Sequence, residues 1–164
     1  MYVNRINVNT IDNPNLIGLS IYFQGCDKFP KCEQCHNPDT WEVRQEYYFE
    51  DNFILKEIDK KISFLLNSYD KVSLNLLGGE PFTLKNRESV KVITGFIKNK
   101  FGDKVTILAY SWRLPHQLPK DFIGNIDEFC LGEFDITKKV EGRFPASTNQ
   151  LYKTREELMN EYNI

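Results

Sequence analysis

The apolar residues of this 164-residue chain alternate between two spacings, and that alternation limits the architectures open to it. Leu16 to Phe23 is a run of branched and aromatic residues that ends at Gln24-Gly25, as a strand does. From Asp51 to Tyr69 the spacing changes to steps of three and four. Ile54, Ile58, Ile62, Leu65, Leu66 and Tyr69 then share one side, with Lys and Glu between them, which predicts a helix covering a sheet. Lys71 to Leu77 returns to strand character and stops at Gly78-Gly79-Glu80-Pro81. A second helix is expected near Glu88 to Lys100 and another strand over Asp103 to Tyr110.

Shorter elements complete the pattern. Tyr2 to Val8 and Phe129 to Leu131 suit brief strands, and a helical turn is expected after the break at Pro115 to Pro119. Gly132 to Tyr152 reads as polar and irregular. Arg155 to Tyr162 reads as a terminal helix, with Thr154 and Glu157 spaced as a capping box. The expectation is an α/β fold, a single domain over residues 1–164, in which parallel strands and crossover helices form an open sheet or part of a barrel. In such folds chemistry gathers beyond the C-terminal ends of the strands. Two segments fall there: the loop of residues 25–41, and the Gly78–Pro81 turn.

The loop carries Cys26, Cys32 and Cys35, three of the chain's four cysteines. Disulfides between such close positions would staple almost nothing together, so the crowding points to metal. Three thiolates from one loop leave a cubane iron-sulfur cluster with one iron free for a substrate or cofactor, whereas adding His36 would give a Cys-Cys-Cys-His zinc set. Spacing alone leaves both open. The Gly78-Gly79-Glu80-Pro81 turn favours the cluster: two glycines expose backbone groups to a ligand and Glu80 can attract an ammonium group, which a zinc ribbon does not need. Cys130, between Phe129 and Leu131, suits a buried structural thiol. Trp112 and Arg113 suit either the lining of the mouth or packing.

Composition removes other classes. A net charge of -2 with scattered Lys and Arg offers no field for nucleic acid. No apolar run has the length of a membrane span, and Met1 to Arg5 lacks the start of a secretory signal, so no membrane association and a cytoplasmic location are expected.

A cysteine triplet after one strand, with Gly-Gly-Glu-Pro after the next, resembles the radical S-adenosylmethionine superfamily. The loop from Gly25 to Trp41, with Cys35-His36-Asn37-Pro38 and Thr40-Trp41, is similar to the activating proteins of glycyl-radical enzymes, above all those that serve anaerobic ribonucleoside-triphosphate reductase. Gly132-Glu133-Phe134 and Ser147-Thr148-Asn149-Gln150 resemble that family's Gly-x-Phe and Ser-Ser-Asn-Gln segments. The chain departs from the pattern in places. Five residues rather than three separate Cys26 from Cys32, Gln34 stands where an aromatic residue is common, and Asn13-Pro14-Asn15 replaces a Gly-Pro-Gly. Tyr110-Ser111-Trp112 replaces a Thr-Gly-Tyr.

The resemblance implies a partial (β/α) barrel and a 4Fe-4S cluster on Cys26, Cys32 and Cys35. It further implies S-adenosylmethionine held at its methionine end by Gly78, Gly79 and Glu80, with Gln34, His36 and Asn37 against the cofactor. The activity implied is reductive cleavage of S-adenosylmethionine to a 5'-deoxyadenosyl radical that abstracts hydrogen from a glycine of the reductase. A low-potential donor such as flavodoxin or ferredoxin would supply the electron, and the tail 132–164 could dock the partner. The alternatives are a radical S-adenosylmethionine enzyme acting on a small molecule and a zinc-stabilised binding module.

Overall fold

In a computed structural model, which describes residues 1–163, six strands form one sheet in simple sequence order. They are β1 (Val3–Thr10), β2 (Gly18–Phe23), β3 (Val72–Gly78), β4 (Val105–Ser111), β5 (Glu128–Leu131) and β6 (Leu151–Thr154). β2 to β5 run parallel, and the two outer strands are antiparallel to their neighbours. The few residues between β1 and β2 cannot carry a chain back to the same end of the sheet, so that pair is antiparallel. The longer β2–β3 and β3–β4 connections carry the crossover helices α1 (Asp51–Leu66) and α2 (Arg87–Phe101). The expected α/β architecture of parallel strands with crossover helices is therefore present.

Each central strand separates two kinds of residue. Leu19, Ile21, Phe23, Leu74, Leu76, Ile107, Ala109 and Phe129 join Ile54, Ile58, Ile62, Val90, Ile93 and Ile97 of the helices in one buried core. The alternate positions are largely polar. Ser20 pairs in register with Asn75, and the Asn75 amide donates to Ser20 Oγ at 3.2 Å. Ser20 in turn donates to Asp12 at 2.6 Å, and Tyr110, on the same face, donates to the Asp12 carbonyl. One face is thus dry, and the other is a hydrogen-bonded polar floor.

The terminal helix α3 (Arg155–Tyr162) begins with the expected capping box: the Thr154 side chain accepts from Glu157 N, and Glu157 reaches back to Thr154 N at 2.7 Å. The helical turn expected after Pro119 is a 3-10 segment, Lys120–Asn125, whose Phe122 and Ile123 enter the core. β6 lies within and just beyond the stretch read as irregular. Its residues are half-buried or exposed and lack an apolar run, so its pairing with β5 is set by tertiary contact. α1 stops at Leu66 rather than Tyr69, because Ser68 N and Tyr69 N both turn back to the Leu65 carbonyl. Among the described residues no helix is long and apolar enough to cross a membrane.

The core makes a direct prediction. Leu76→Ala, at a fully buried site, should lower the free energy of unfolding by about 2–5 kcal/mol. Phe64→Ala, at a site on α1 that is 61% exposed, should change it by no more than about 0.5 kcal/mol. Denaturant melts of the two variants beside the native chain check both.

Candidate metal centre

The cysteine loop leaves the end of β2 and returns to it. Its base is closed by Gly25 N–H donating to the Thr40 carbonyl at 2.7 Å and Cys26 N–H donating to the Trp41 carbonyl at 2.9 Å. Gln24, fully buried, braces that closure from inside. Its amide donates to the carbonyls of Asp39 (2.9 Å) and Glu42 (2.6 Å) and accepts from Asn4.

The turn after β3 packs directly against the loop. Gly79 N–H donates to the Phe23 carbonyl at 2.9 Å and Glu80 N–H to the Gly25 carbonyl at 2.8 Å. Asn86, at the start of α2, donates to the carbonyls of both Gln24 and Glu80. This approach explains the paired glycines. A Cβ on Gly79 would lie 2.1 Å from the Gly25 carbonyl oxygen, and one on Gly78, at φ +104°, 2.4 Å from Phe23 N. The sequence suggested that the glycines bare their backbone to a ligand. Part of that bareness is spent on bringing two strand ends together.

All three loop cysteines are free, partly exposed thiols, and Cys130 is a buried one. Burial raises the Cys26 and Cys32 thiols, while the backbone N–H groups of Lys28 and Phe134 favour their thiolates. Cys35 Sγ accepts from Asn37 N–H at 3.4 Å. The Cys35 sulfur therefore faces a backbone N–H, the kind of donor that supports a sulfur ligand of an iron-sulfur cluster and tunes its potential. Burial alone pushes Cys130 up to about 12, in keeping with a structural thiol.

The thiols divide between two openings. Cys32 and Cys35 line a cavity of about 350 Å³ with His36, Asn37, Gly78, Tyr110 and, from the tail, Phe134. A recess beside it adds Gly79 and Glu80 to Cys32 and Cys35. Cys26 instead faces a hollow bounded by Trp41, Val43 and Leu84. Among the described residues no three His, Cys, Asp or Glu side chains gather as a single metal ion requires, and the His36 ring lies against Phe134 with centroids 4.4 Å apart. Cys32 and Cys35 share one cavity and Cys26 opens to another hollow, a spread compatible with the separate corners of a cluster.

The other sequence candidates meet different fates. Asn37 lines the cavity, but its Oδ1 accepts from Arg5 at 2.5 Å. Gln34 sits at φ +50° in the turn between Cys32 and Cys35, is exposed, and lines neither the cavity nor the recess. Glu80 is completely buried, and its carboxylate is already engaged. It accepts from Phe82 N (3.0 Å), Ser111 Oγ (2.9 Å) and Trp112 N (3.1 Å), and it pairs with Arg113 at 2.9 Å. Burial raises its pKa to about 7 against the pull of Arg113 and these donors. The expectation of a carboxylate open to an ammonium group thus gives way to one that ties the turn to the end of β4.

The sequence gives no role to Gln24 or Asn86, marks Ser111 only within the altered Tyr110-Ser111-Trp112 segment, and leaves Arg113 between two roles. The position of Gln24-Gly25 at the strand end was the only signal that could have singled out the first of them.

A family model described as a 4Fe-4S single cluster domain matches residues 17–153. The anaerobic ribonucleoside-triphosphate reductase-activating protein of Enterobacteria phage T4 is 27% identical over 130 residues, which cover 79% of each chain. No solved structure matches.

Two outcomes follow from this geometry. Gly79→Ala forces the two strand ends apart and should cost about 1–3 kcal/mol, read from denaturant unfolding. Glu80 makes stability depend on pH. Its carboxyl group is raised from 4.5 to about 7, so between those values the folded protein keeps a proton that the unfolded chain has released, and stability falls as pH rises. Thermal melts should therefore shift in favour of Glu80→Gln, relative to the native chain, as pH rises from about 5 to about 7.

Proposed function

The chain belongs to the family of 4Fe-4S single cluster domains of the radical S-adenosylmethionine type, and from that premise we propose that it is the activase of a glycyl-radical enzyme, an anaerobic ribonucleoside-triphosphate reductase. Membership brings a 4Fe-4S cluster and S-adenosylmethionine as cofactors. The observation that carries the finer reading is the meeting of cysteine loop, glycine turn and C-terminal tail. Cys32, Cys35 and Gly78 share one cavity wall with Phe134 and Gln150, both from segments that resemble activase motifs. The relative named as such an activating protein supports the same reading.

In this reading Cys26, Cys32 and Cys35 hold three irons. When bound, the cluster supplies one electron to the sulfonium of S-adenosylmethionine, giving methionine and a 5'-deoxyadenosyl radical that takes hydrogen from a glycine of the partner. The chain's own residues do the rest. The backbone N–H of Asn37 faces the Cys35 sulfur. Gly78 and Gly79 form the wall for the methionine end, and Glu80 keeps that wall in place. His36 and Phe134 pack together along one side of the cavity, while Asn37 is oriented by Arg5. The tail from 132 to 164 docks the partner, and a low-potential carrier such as flavodoxin or ferredoxin delivers the electron.

Mixing reduced, anoxically reconstituted protein, S-adenosylmethionine and an anaerobic ribonucleotide reductase should yield a glycyl-radical doublet by electron paramagnetic resonance, together with 5'-deoxyadenosine. Cys32→Ala should abolish both, and Cys130→Ala should leave the iron content unchanged. Release of 5'-deoxyadenosine with no protein radical would overturn the activase reading in favour of a small-molecule substrate. A colourless protein that retains zinc would overturn the cluster itself.

A further inference from the structure

Two of the chain's departures from the family pattern meet in space. The wide gap between Cys26 and Cys32 contains Asp27, and the altered segment Tyr110-Ser111-Trp112 at the end of β4 is followed directly by Arg113. Asp27 accepts from Trp112 Nε1 at 3.1 Å and from Arg113 Nη2 at 2.5 Å. The other terminal nitrogen of the same guanidinium, Nη1, lies 2.9 Å from Glu80. Arg113 is 93% buried by its 7% exposure, and its guanidinium carbon stands 4.7 Å from the centre of the Trp112 ring. Its carbonyl accepts from Gly132 N at 3.0 Å, at the start of the tail.

We propose that Arg113 is a positioning residue that locks the Cys26 end of the cysteine loop to the Gly78–Glu80 turn, so that a metal ligand and the wall for S-adenosylmethionine move as one body. This rests on the assignment of Cys26 as a ligand. The chemistry is particular to arginine: a planar fork can meet two carboxylates at once, whereas an ammonium group is a single point of charge. Asp27 is 44% exposed at its side chain, so without the fork it would turn to water and Cys26, its neighbour, would lose that anchor. Trp112 holds the second oxygen of Asp27 and fixes the direction of the carboxylate. Ser111 and Trp112 N complete the hold on Glu80 from the same three residues.

The test uses the full chain with Arg113→Lys, Asp27→Asn and both together, before and after anoxic reconstitution. Before reconstitution, amide hydrogen exchange over residues 26–35 should quicken about tenfold in each single variant, and no further in the double variant, because the two residues act as a pair. Exchange in β2, β3 and β4 should stay as in the native chain. After reconstitution, Arg113→Lys should keep its iron, raise KM for S-adenosylmethionine about tenfold with a smaller change in kcat, and shift the cluster's reduction potential. Native exchange in the single variants, additive effects in the double, or equal quickening across the sheet would overturn the proposal, the last by showing a merely structural role. Iron retained by Cys26→Ala would instead overturn the ligand assignment, and with it the stated purpose of the lock, while the exchange data still report whether the pair exists.

Discussion

Backbone hydrogen bonds between β2 and β3 do not stop where the strands end. They continue through Gly79 N to the Phe23 carbonyl and Glu80 N to the Gly25 carbonyl, so the first residues of two loops are held at sheet distance. Side chains at Gly78 or Gly79 would collide with the opposing backbone, which makes the glycine pair a condition of the contact. Everything at the metal centre is referenced to this seam. The cysteine loop starts at one side of it, the turn that walls the cavity starts at the other, and Asn86 bonds to both.

Burying Glu80 beneath that seam requires partners for both its oxygens, and the end of β4 supplies them. The cost of an enclosed carboxylate is offset by Phe82 N within the turn itself and by Ser111, Trp112 N and Arg113, which bind a third strand end to the first two. The raised pKa of Glu80 is what remains of that cost. Three adjacent parallel strands thereby deliver their C-terminal ends to one place, and the polar floor of Ser20, Asn75 and Tyr110 lies on the sheet below.

Much of this architecture is local and could be read from the chain. The apolar period marks β2, α1, β3, α2 and β4 to within a few residues, and the capping box marks α3. The three cysteines and the glycine turn stand out because their residue types are rare and crowded. What could not be read depends on contact between distant positions. Asn86 reaches Gln24 across 62 residues and Arg113 reaches Asp27 across 86, with no spacing rule to announce either. Glu80 was legible as a carboxylate beside the site, yet which way it faces is decided by β4. β6 carries too little apolar character to signal a strand, and only its pairing with β5 defines it.

The closure of the cysteine loop separates what happens at the cysteines from the sheet that carries them. Gly25 and Thr40, and Cys26 and Trp41, are bonded at the loop's base, so the three cysteines hang from a ring already tied to the sheet. Ordering such a ring costs little loop-closure entropy beyond what the fold has met. Opening it releases none of the ladder bonds between β2, β3 and β4. A change at the three cysteines is thereby confined to a pendant of the structure, outside the ladder that joins the central strands.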